Sequence, residues 1–294
     1  MHALAVFLAA VERGTMTTAA EVEGISQPAI SAQIKVLERY YGTTLLQRTG
    51  RGVVPTPTGQ VVADHAARIL ALVDELDRLV RDLEGLRSGR LIIGASSTVG
   101  EQFLPAHLGR FHAAYPDVEL EVRIGNTGEI TAAVVRRELD FAFVGSPPQD
   151  DELVAEPVFA DEVIAFVAPG DPLLREAAID PAALSGRQFV LRERGSATRD
   201  LALHCLAAAG CEPDHVIELG SNEAVKRAVE AGLGIGLLST HAIEAERLAE
   251  LLVDLPLEGW ECGRSFWLIR RRDRVLTRAE QAFLALLPRP AMVL

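Results

Sequence analysis

Ser26-Gln27-Pro28-Ala29-Ile30-Ser31-Ala32-Gln33-Ile34-Lys35-Val36-Leu37-Glu38 is the stretch that decides how the chain is read. Ser26 is placed to cap a helix, and Pro28 falls in its first turn, where a missing N–H costs nothing. Ile30, Ile34, Leu37 and Tyr41 then recur at intervals of 4, 3 and 4, the buried stripe of an amphipathic helix. The opposite side carries Pro28, Ser31, Ala32, Lys35 and Arg39, with Gln27 at the tip. Small and polar residues on an exposed face let a helix sit deep in a major groove. There Gln27 and Ser31 reach base edges or phosphates, while Lys35 and Arg39 suit phosphates.

On the N-terminal side, Thr17 to Val22 reads as a short helix ended by Gly24. Before it, Leu4, Leu8 and Val11 repeat at helical spacing; with no cationic leader and with Glu12 and Arg13 following, this start is expected to be a domain helix of a cytoplasmic protein rather than a signal peptide. On the C-terminal side, two short extended runs from Leu45 to Pro55 flank a glycine-rich tip and predict a β-wing, with Arg48 and Arg51 at its turn. Thr56 is placed to cap a long helix starting near Pro57.

Ala19-Ala20, Ser26 to Ser31, Gln33-Ile34, Leu37-Glu38, Arg48, Arg51, Thr56 and Gly59 together resemble the winged helix-turn-helix of LysR-type transcriptional regulators. The resemblance covers about the first sixty residues. It implies DNA contacts from Thr17, Thr18, Ser26, Gln27, Pro28, Ser31, Gln33, Lys35, Arg39, Arg48 and Arg51. The chain departs from the family pattern at three places. Ala32 stands where many members carry Arg or Lys, Met16 where an aromatic is usual, and Glu23 where a buried Leu is usual.

At 294 residues the chain predicts more than one core. A net charge of −12 argues against a protein that coats nucleic acid indiscriminately. Yet from Ile25 to Gly52 the cations Lys35, Arg39, Arg48 and Arg51 face Glu38 alone, a local basic surface suited to a specific reader. No apolar run is long enough to span a bilayer, so no membrane association is expected.

Beyond Gly59, Val62, Ala66, Ile69, Val73, Leu76, Val80 and Leu83 alternate at intervals of 4 and 3, an a/d seam. A single helix of roughly 25 residues is expected there, its seam paired with the same helix of a second subunit. The predicted partners are therefore self, as a homodimer through residues 59–86 and as a homotetramer, and double-stranded DNA carrying an interrupted palindrome.

From Arg90 the pattern changes to short strands (Leu91–Gly94, Val118–Ile124, Leu139–Val144, Val163–Val167, Gln188–Leu191, Ile235–Leu238) separated by Ala-rich helices, which is α/β alternation around a mainly parallel sheet. This part resembles the two-lobed, periplasmic-binding-protein-like effector domain of the same family, with the chain crossing between lobes near Asp161–Glu162 and Arg264–Trp267. The fold expected is thus a multidomain α+β and α/β chain. A winged helix-turn-helix occupies 1–58 and a linking dimerisation helix 59–89. An effector domain fills 90–294, with lobe I at about 90–162 and 267–294 and lobe II at about 163–266.

Four stretches are placed to line the cleft. Ser96-Ser97-Thr98 follows a strand and opens a helix, offering hydroxyls and free N–H groups to an anion. Arg192, Arg194, Ser196 and Thr198 repeat the arrangement with guanidiniums nearby. Ser221-Asn222 opens another helix, and Asn126-Thr127 ends a strand. The wording of Arg192–Arg199 and Glu218–Lys226 is most similar to the sulfur-assimilation (CysL-like) and carbon-fixation (CbbR-like) branch. That implies a small oxyanion or a phosphorylated metabolite as effector, and no cofactor.

Cys205, Cys211 and Cys262 have no metal-ligand spacing, and packing in a reduced cytosol is the expected role, with a Cys205–Cys211 redox pair as the alternative. No enzymatic motif is present: Ala231–Gly236 is glycine-rich but lacks the order of a dinucleotide loop, and no metalloprotease, P-loop or nucleophile-elbow signature occurs. The competing reading is an anion-binding protein whose N-terminal helical unit serves only assembly.

Overall fold

The computed structural model describes residues 1–50, 52–82 and 89–288; Arg51 and Leu83, both singled out above, lie outside them. The chain divides into two compact units, the first built from its N-terminal residues and the second from the bulk of the rest.

The first unit contains α1 (His2–Arg13), α2 (Met16–Glu23), α3 (Gln27–Tyr41), the hairpin strands β1 (Leu46–Thr49) and β2 (Gly52–Pro55), and α4 (Pro57–Asp82). Val6, Phe7 and Ala10 of α1 meet Ala19 and Ala20 of α2 and Ile30, Ile34 and Leu37 of α3 in one core. Each large aliphatic or aromatic side chain removed from water there contributes about 1.5–3 kcal/mol. α2 stops at Gly24, whose φ of 64° is left-handed.

Two local expectations fail. Ser26 occupies the N-cap of α3, but its side chain makes no capping bond. Tyr41 is 46% exposed rather than buried. The helix ends at Gly42, and the Glu38 carboxylate accepts the Leu45 N–H at 2.9 Å, so the returning chain delivers Leu45, fully buried, into the place the periodicity gave to Tyr41.

The hairpin pairs Leu46 with Pro55 and Thr49 with Gly52. It is seated on the end of α1, where the Val53 N–H donates to the Gly14 carbonyl at 2.8 Å. Gly52 has φ +151°, and a Cβ there would lie 2.1 Å from that carbonyl oxygen, so only glycine fits. Thr56 caps α4 by accepting the Gly59 N–H at 2.9 Å. Contrary to a seam wholly reserved for a second subunit, Val62 and Ala63 pack into the core of the first unit. Ile69, Val73, Leu76 and Val80 further along are exposed.

The second unit runs β3 (Gly89–Ser96), α5 (Leu104–Ala114), β4 (Val118–Gly125), α6 (Thr127–Val135), β5 (Phe141–Val144), β6 (Leu153–Val167), β7 (Gln188–Arg192), α7 (Ala197–Ala208), β8 (His215–Leu219), α8 (Asn222–Glu230), β9 (Ile235–Ser239), α9 (Glu244–Leu248), β10 (Val253–Asp254), β11 (Gly263–Arg271) and α10 (Arg278–Leu284). Strand order is β4-β3-β5-β11-β6-β9-β7-β8, with β10 on β6. β3 pairs in parallel with β4 and β5, and β7 with β8 and β9, while β6 and β11 run antiparallel to their neighbours.

β6 pairs with β11 up to Glu162 and with β9 from Val163 onward, so it passes from one lobe to the other at that point. The central strands read as unbroken apolar runs because helices cover both faces: Phe141, Ala142, Phe143 and Val144 are all fully buried. Within the glycine-rich Ala231–Gly236 segment, a Cβ at Gly234 would lie 2.2 Å from the Gln188 carbonyl oxygen, so this is close packing of backbone on backbone.

The cysteines differ from expectation. Cys205 of α7 is joined in a disulfide to Cys262, 57 residues later, and Cys211 is the buried free thiol. The return of β11 against α7 makes the pair, a contact that spacing within 205–211 gives no hint of.

Candidate functional site

On the first unit, Gln27, Pro28, Ala32, Lys35 and Arg39 of α3 are exposed, and Ser31 and Gln33 are half-buried beside them. Thr17, Thr18 and Ser26 are exposed at the helix starts, and Arg48 is exposed on the wing. Thr18 is engaged locally, since the Thr15 hydroxyl donates to its Oγ1 at 2.9 Å. Arg39 folds back, its Nε donating to the Lys35 carbonyl at 3.3 Å. The surface is a polar helix face with a cationic wing next to it, and Ala32 leaves it one side chain shallower.

In the second unit the ends of several strands converge on a small, tight polar hollow. β3 delivers Ser96, Ser97 and Thr98; the β4–α6 turn delivers Asn126 and Thr127; β7 and the start of α7 deliver Arg192, Ser196 and Thr198. Arg194 is exposed and does not line it, nor do Ser221 and Asn222. Ser221 instead caps α8, accepting the Ala224 N–H at 3.1 Å. Asn222 stands behind the lining, accepting from Arg192 and donating to Glu101 at 3.0 Å.

Arg192 is buried, and each of its guanidinium nitrogens is engaged. Its Nε and Nη2 donate to the Glu193 carboxylate at 2.8 and 3.0 Å, Nη2 also reaches Ser97 Oγ at 3.2 Å, and Nη1 donates to Asn222. Burial works to raise the Glu193 carboxyl, but the Arg192 hydrogen bonds and charge, with bonds from its own backbone and from Asn126, together hold the group below the usual range. Arg192 therefore braces the wall through all three of its nitrogens.

The free donors belong to a residue sequence reading did not select. Arg264 of β11 enters the hollow with a side chain only 6% exposed. Its Nε donates to Asp161 at 2.8 Å, while Nη1 and Nη2 are buried without a hydrogen-bond partner in the protein. Its guanidinium lies 4.5 Å from the Phe266 ring centroid. Burial lowers the Arg264 pKa, the Asp161 carboxylate opposes that fall, and Arg192 adds to it. Ser96 Oγ is likewise buried and unpartnered. Asp161 is itself fixed by Ser239, whose hydroxyl donates to it at 2.6 Å.

At the facing wall, α7 begins at Ala197, and the Ser196 side chain makes no capping bond. The first N–H groups of a helix have no partner within it, so those of Ala197 and Thr198 add positive potential to the hollow. No carboxylate is among the lining residues. The two lobes touch over the hollow where the Gly128 N–H donates to the Gly195 carbonyl at 3.0 Å. Two unpaired guanidinium nitrogens, a hydroxyl and a helix N-terminus facing one space fit a compact oxyanion. Among the described residues no group of acidic, His or Cys side chains could hold a metal ion.

A polar, cation-edged helix face in one unit and a polar hollow without carboxylates in the other are the two surfaces of note, and the comparisons give the family to which they belong. Residues 1–60 match the bacterial regulatory helix-turn-helix family of lysR type, and residues 84–289 match the LysR substrate-binding domain. The chain belongs to the LysR family of bacterial transcriptional regulators. It is 39% identical to the transcriptional regulator CbbR of Rhizobium meliloti (strain 1021) over 276 residues, 92% of this chain and 86% of that protein. The regulatory domain of Synechocystis PCC6803 CcmR, solved in complex with 2-PG, superposes with a TM-score of 0.63 at 29% identity, covering 67% of this chain and 95% of that one. Full-length CbnR, a LysR family regulator, superposes with a TM-score of 0.72 over 97% of this chain and 96% of its own, and at 20% identity it speaks to fold alone.

Proposed function

We propose that this transcriptional regulator binds a compact phosphorylated or similar oxyanionic metabolite in the Arg264 hollow, and that binding alters its hold on DNA. The carrying observation is the pair of buried, unpartnered Arg264 nitrogens beside the start of α7. A buried donor with no partner costs about 1–3 kcal/mol. A ligand that satisfies both nitrogens recovers that penalty, and favours whichever lobe arrangement brings these walls together.

The 2-PG bound by the CcmR regulatory domain, a phosphorylated two-carbon acid, is of the class this hollow fits. Its phosphate would face Arg264, Ser96 and the Ala197 and Thr198 N–H groups. Arg192 holds Ser97 and Asn222 in place behind them.

On the DNA side, Gln27 and Ser31 are the base-reading side chains, and Lys35, Arg39, Arg48 and Arg51 are the phosphate contacts. The exposed Ile69, Val73, Leu76 and Val80 of α4 form the face by which two copies associate. Two copies read two half-sites related by a two-fold axis. Isothermal titration of the full chain with 2-phosphoglycolate, inorganic phosphate and a neutral two-carbon acid amide tests the anion reading. Saturable binding of the phosphates alone is expected, and binding of none of them refutes it.

A further inference from the structure

The Cys205–Cys262 disulfide joins two elements that both build the hollow. Cys205 lies on α7, whose first turn supplies the Ala197 and Thr198 N–H groups, about two turns back along the same helix. Cys262 lies two residues before Arg264, immediately ahead of β11. One covalent bond therefore fixes the wall that offers N–H donors to the strand that offers the guanidinium. Cys205 and Cys262 are 8% and 1% exposed, and both sit in the core of the second lobe with Leu201 and Leu206. Cys211 does not join them: it is fully buried, and burial pushes its thiol up.

We infer that Cys205 and Cys262 are a thiol–disulfide site whose oxidation state sets how tightly the hollow holds its anion. The inference rests on the anion reading above. The oxidant is a low-molecular-weight disulfide, RSSR. The thiolate of Cys205, the less buried partner, attacks one sulfur of RSSR; the S–S bond of RSSR breaks, and one RS⁻ leaves as a thiol with the proton that Cys205 gave up. The Cys262 thiolate then attacks the Cys205 sulfur of the mixed disulfide and expels the second RS⁻, which takes the Cys262 proton. Two protein thiols lose two electrons in all, and RSSR becomes two RSH.

In the oxidised chain α7 and β11 cannot move apart at this point, so the hollow needs less ordering when an anion enters. In the reduced chain the two elements are held there by apolar packing and by a weak contact of Cys262 Sγ with the Leu201 carbonyl at 3.9 Å. Pre-ordering of this kind raises affinity by about three- to tenfold.

The test uses the full chain, incubated with oxidised glutathione or with a phosphine reductant, then titrated with inorganic phosphate in a calorimeter. Thiols are counted by alkylation in denaturant and mass spectrometry. The oxidised chain should show Cys211 as its one alkylatable cysteine and bind phosphate about three- to tenfold more tightly than the reduced chain. Cys262→Ser should show the reduced affinity under both conditions, and Cys211→Ser should keep the full response. Equal phosphate affinity in the oxidised and reduced wild-type chain overturns the inference, as do three alkylatable cysteines after oxidation. Should Cys262→Ser not fold, the wild-type comparison decides alone. Phosphate binding to neither form overturns the anion reading itself and this inference with it.

Discussion

Replacing Arg264 by lysine isolates the feature on which the sensor reading depends. Arg264 uses Nε for Asp161 at 2.8 Å and leaves Nη1 and Nη2 facing the hollow, each buried and unpartnered. Lysine keeps a cation beside the Asp161 carboxylate, so no unpaired buried charge is created, but its single ammonium cannot serve Asp161 and a bidentate anion together. The loss is then at least one charge-assisted hydrogen bond, about 1.5–3 kcal/mol. That converts to roughly 10- to 150-fold weaker binding. Calorimetric titration with 2-phosphoglycolate measures it directly, with thermal unfolding of the free protein as the control for the fold. An Arg264→Lys variant that unfolds like the wild type and binds within threefold of it would refute the assignment of those nitrogens to the ligand.

Three other outcomes follow from the same structure. Lys35→Ala should weaken binding to all DNA sequences and flatten the slope of log affinity against log salt by about one unit, whereas Gln27→Ala should cost about 1–3 kcal/mol and relax specificity at one base position; anisotropy titrations at several salt concentrations separate the two, and an unchanged slope for Lys35→Ala sinks the orientation given to α3. Leu76→Asp places a charge on the exposed stripe of α4, where Leu76 is 58% exposed, and should shift the chain to monomer by light scattering without lowering the unfolding temperature of the isolated subunit; a persistent dimer contradicts the role of that face. Burial lowers the His107 pKa, with Arg110 adding to the effect, so as pH falls below about 6.5 the unfolded chain takes up a proton before the folded one does and stability is lost from there down to the folded value. His107→Phe, which keeps a ring beside Phe159, should show a shallower loss between pH 7.5 and 5 in urea titrations, and parallel curves would count against this origin.

Much of the fold was legible because local rules and tertiary packing agree in it. Ile30, Ile34 and Leu37 went to the core as their spacing required, and Gly24 ended α2. Failures came where a distant segment decides. Tyr41 lies outside the core while Leu45 lies inside it, its N–H bonded to the Glu38 carboxylate. β8 and β11 escaped notice. β8 is an edge strand with little buried surface, and β11 mixes Arg264, Arg270 and Arg271 with Trp267 in a pattern that is not apolar. Missing β11 as a strand meant missing Arg264, since its place in the hollow follows only once the antiparallel pairing with β6 sets it beside Asp161. The strand-to-helix turns at Ser96–Thr98 and Ser196–Thr198 could be found, because hydroxyls ahead of a helix carry their own local signal. Arg194 and Ser221 share that signal yet face elsewhere, one into solvent and one into its own helix cap.

Communication between the proposed anion-sensing hollow and the proposed DNA-reading surface is open to one titration. Fluorescence anisotropy of labelled DNA from immediately upstream of the coding sequence is followed against the full chain, with and without saturating 2-phosphoglycolate. The wild type should raise the anisotropy of the DNA and change its affinity when the anion is present, while Arg264→Lys should bind the same DNA and respond only at much higher anion concentration. A protein that binds the DNA identically with and without an anion it demonstrably holds would contradict the account.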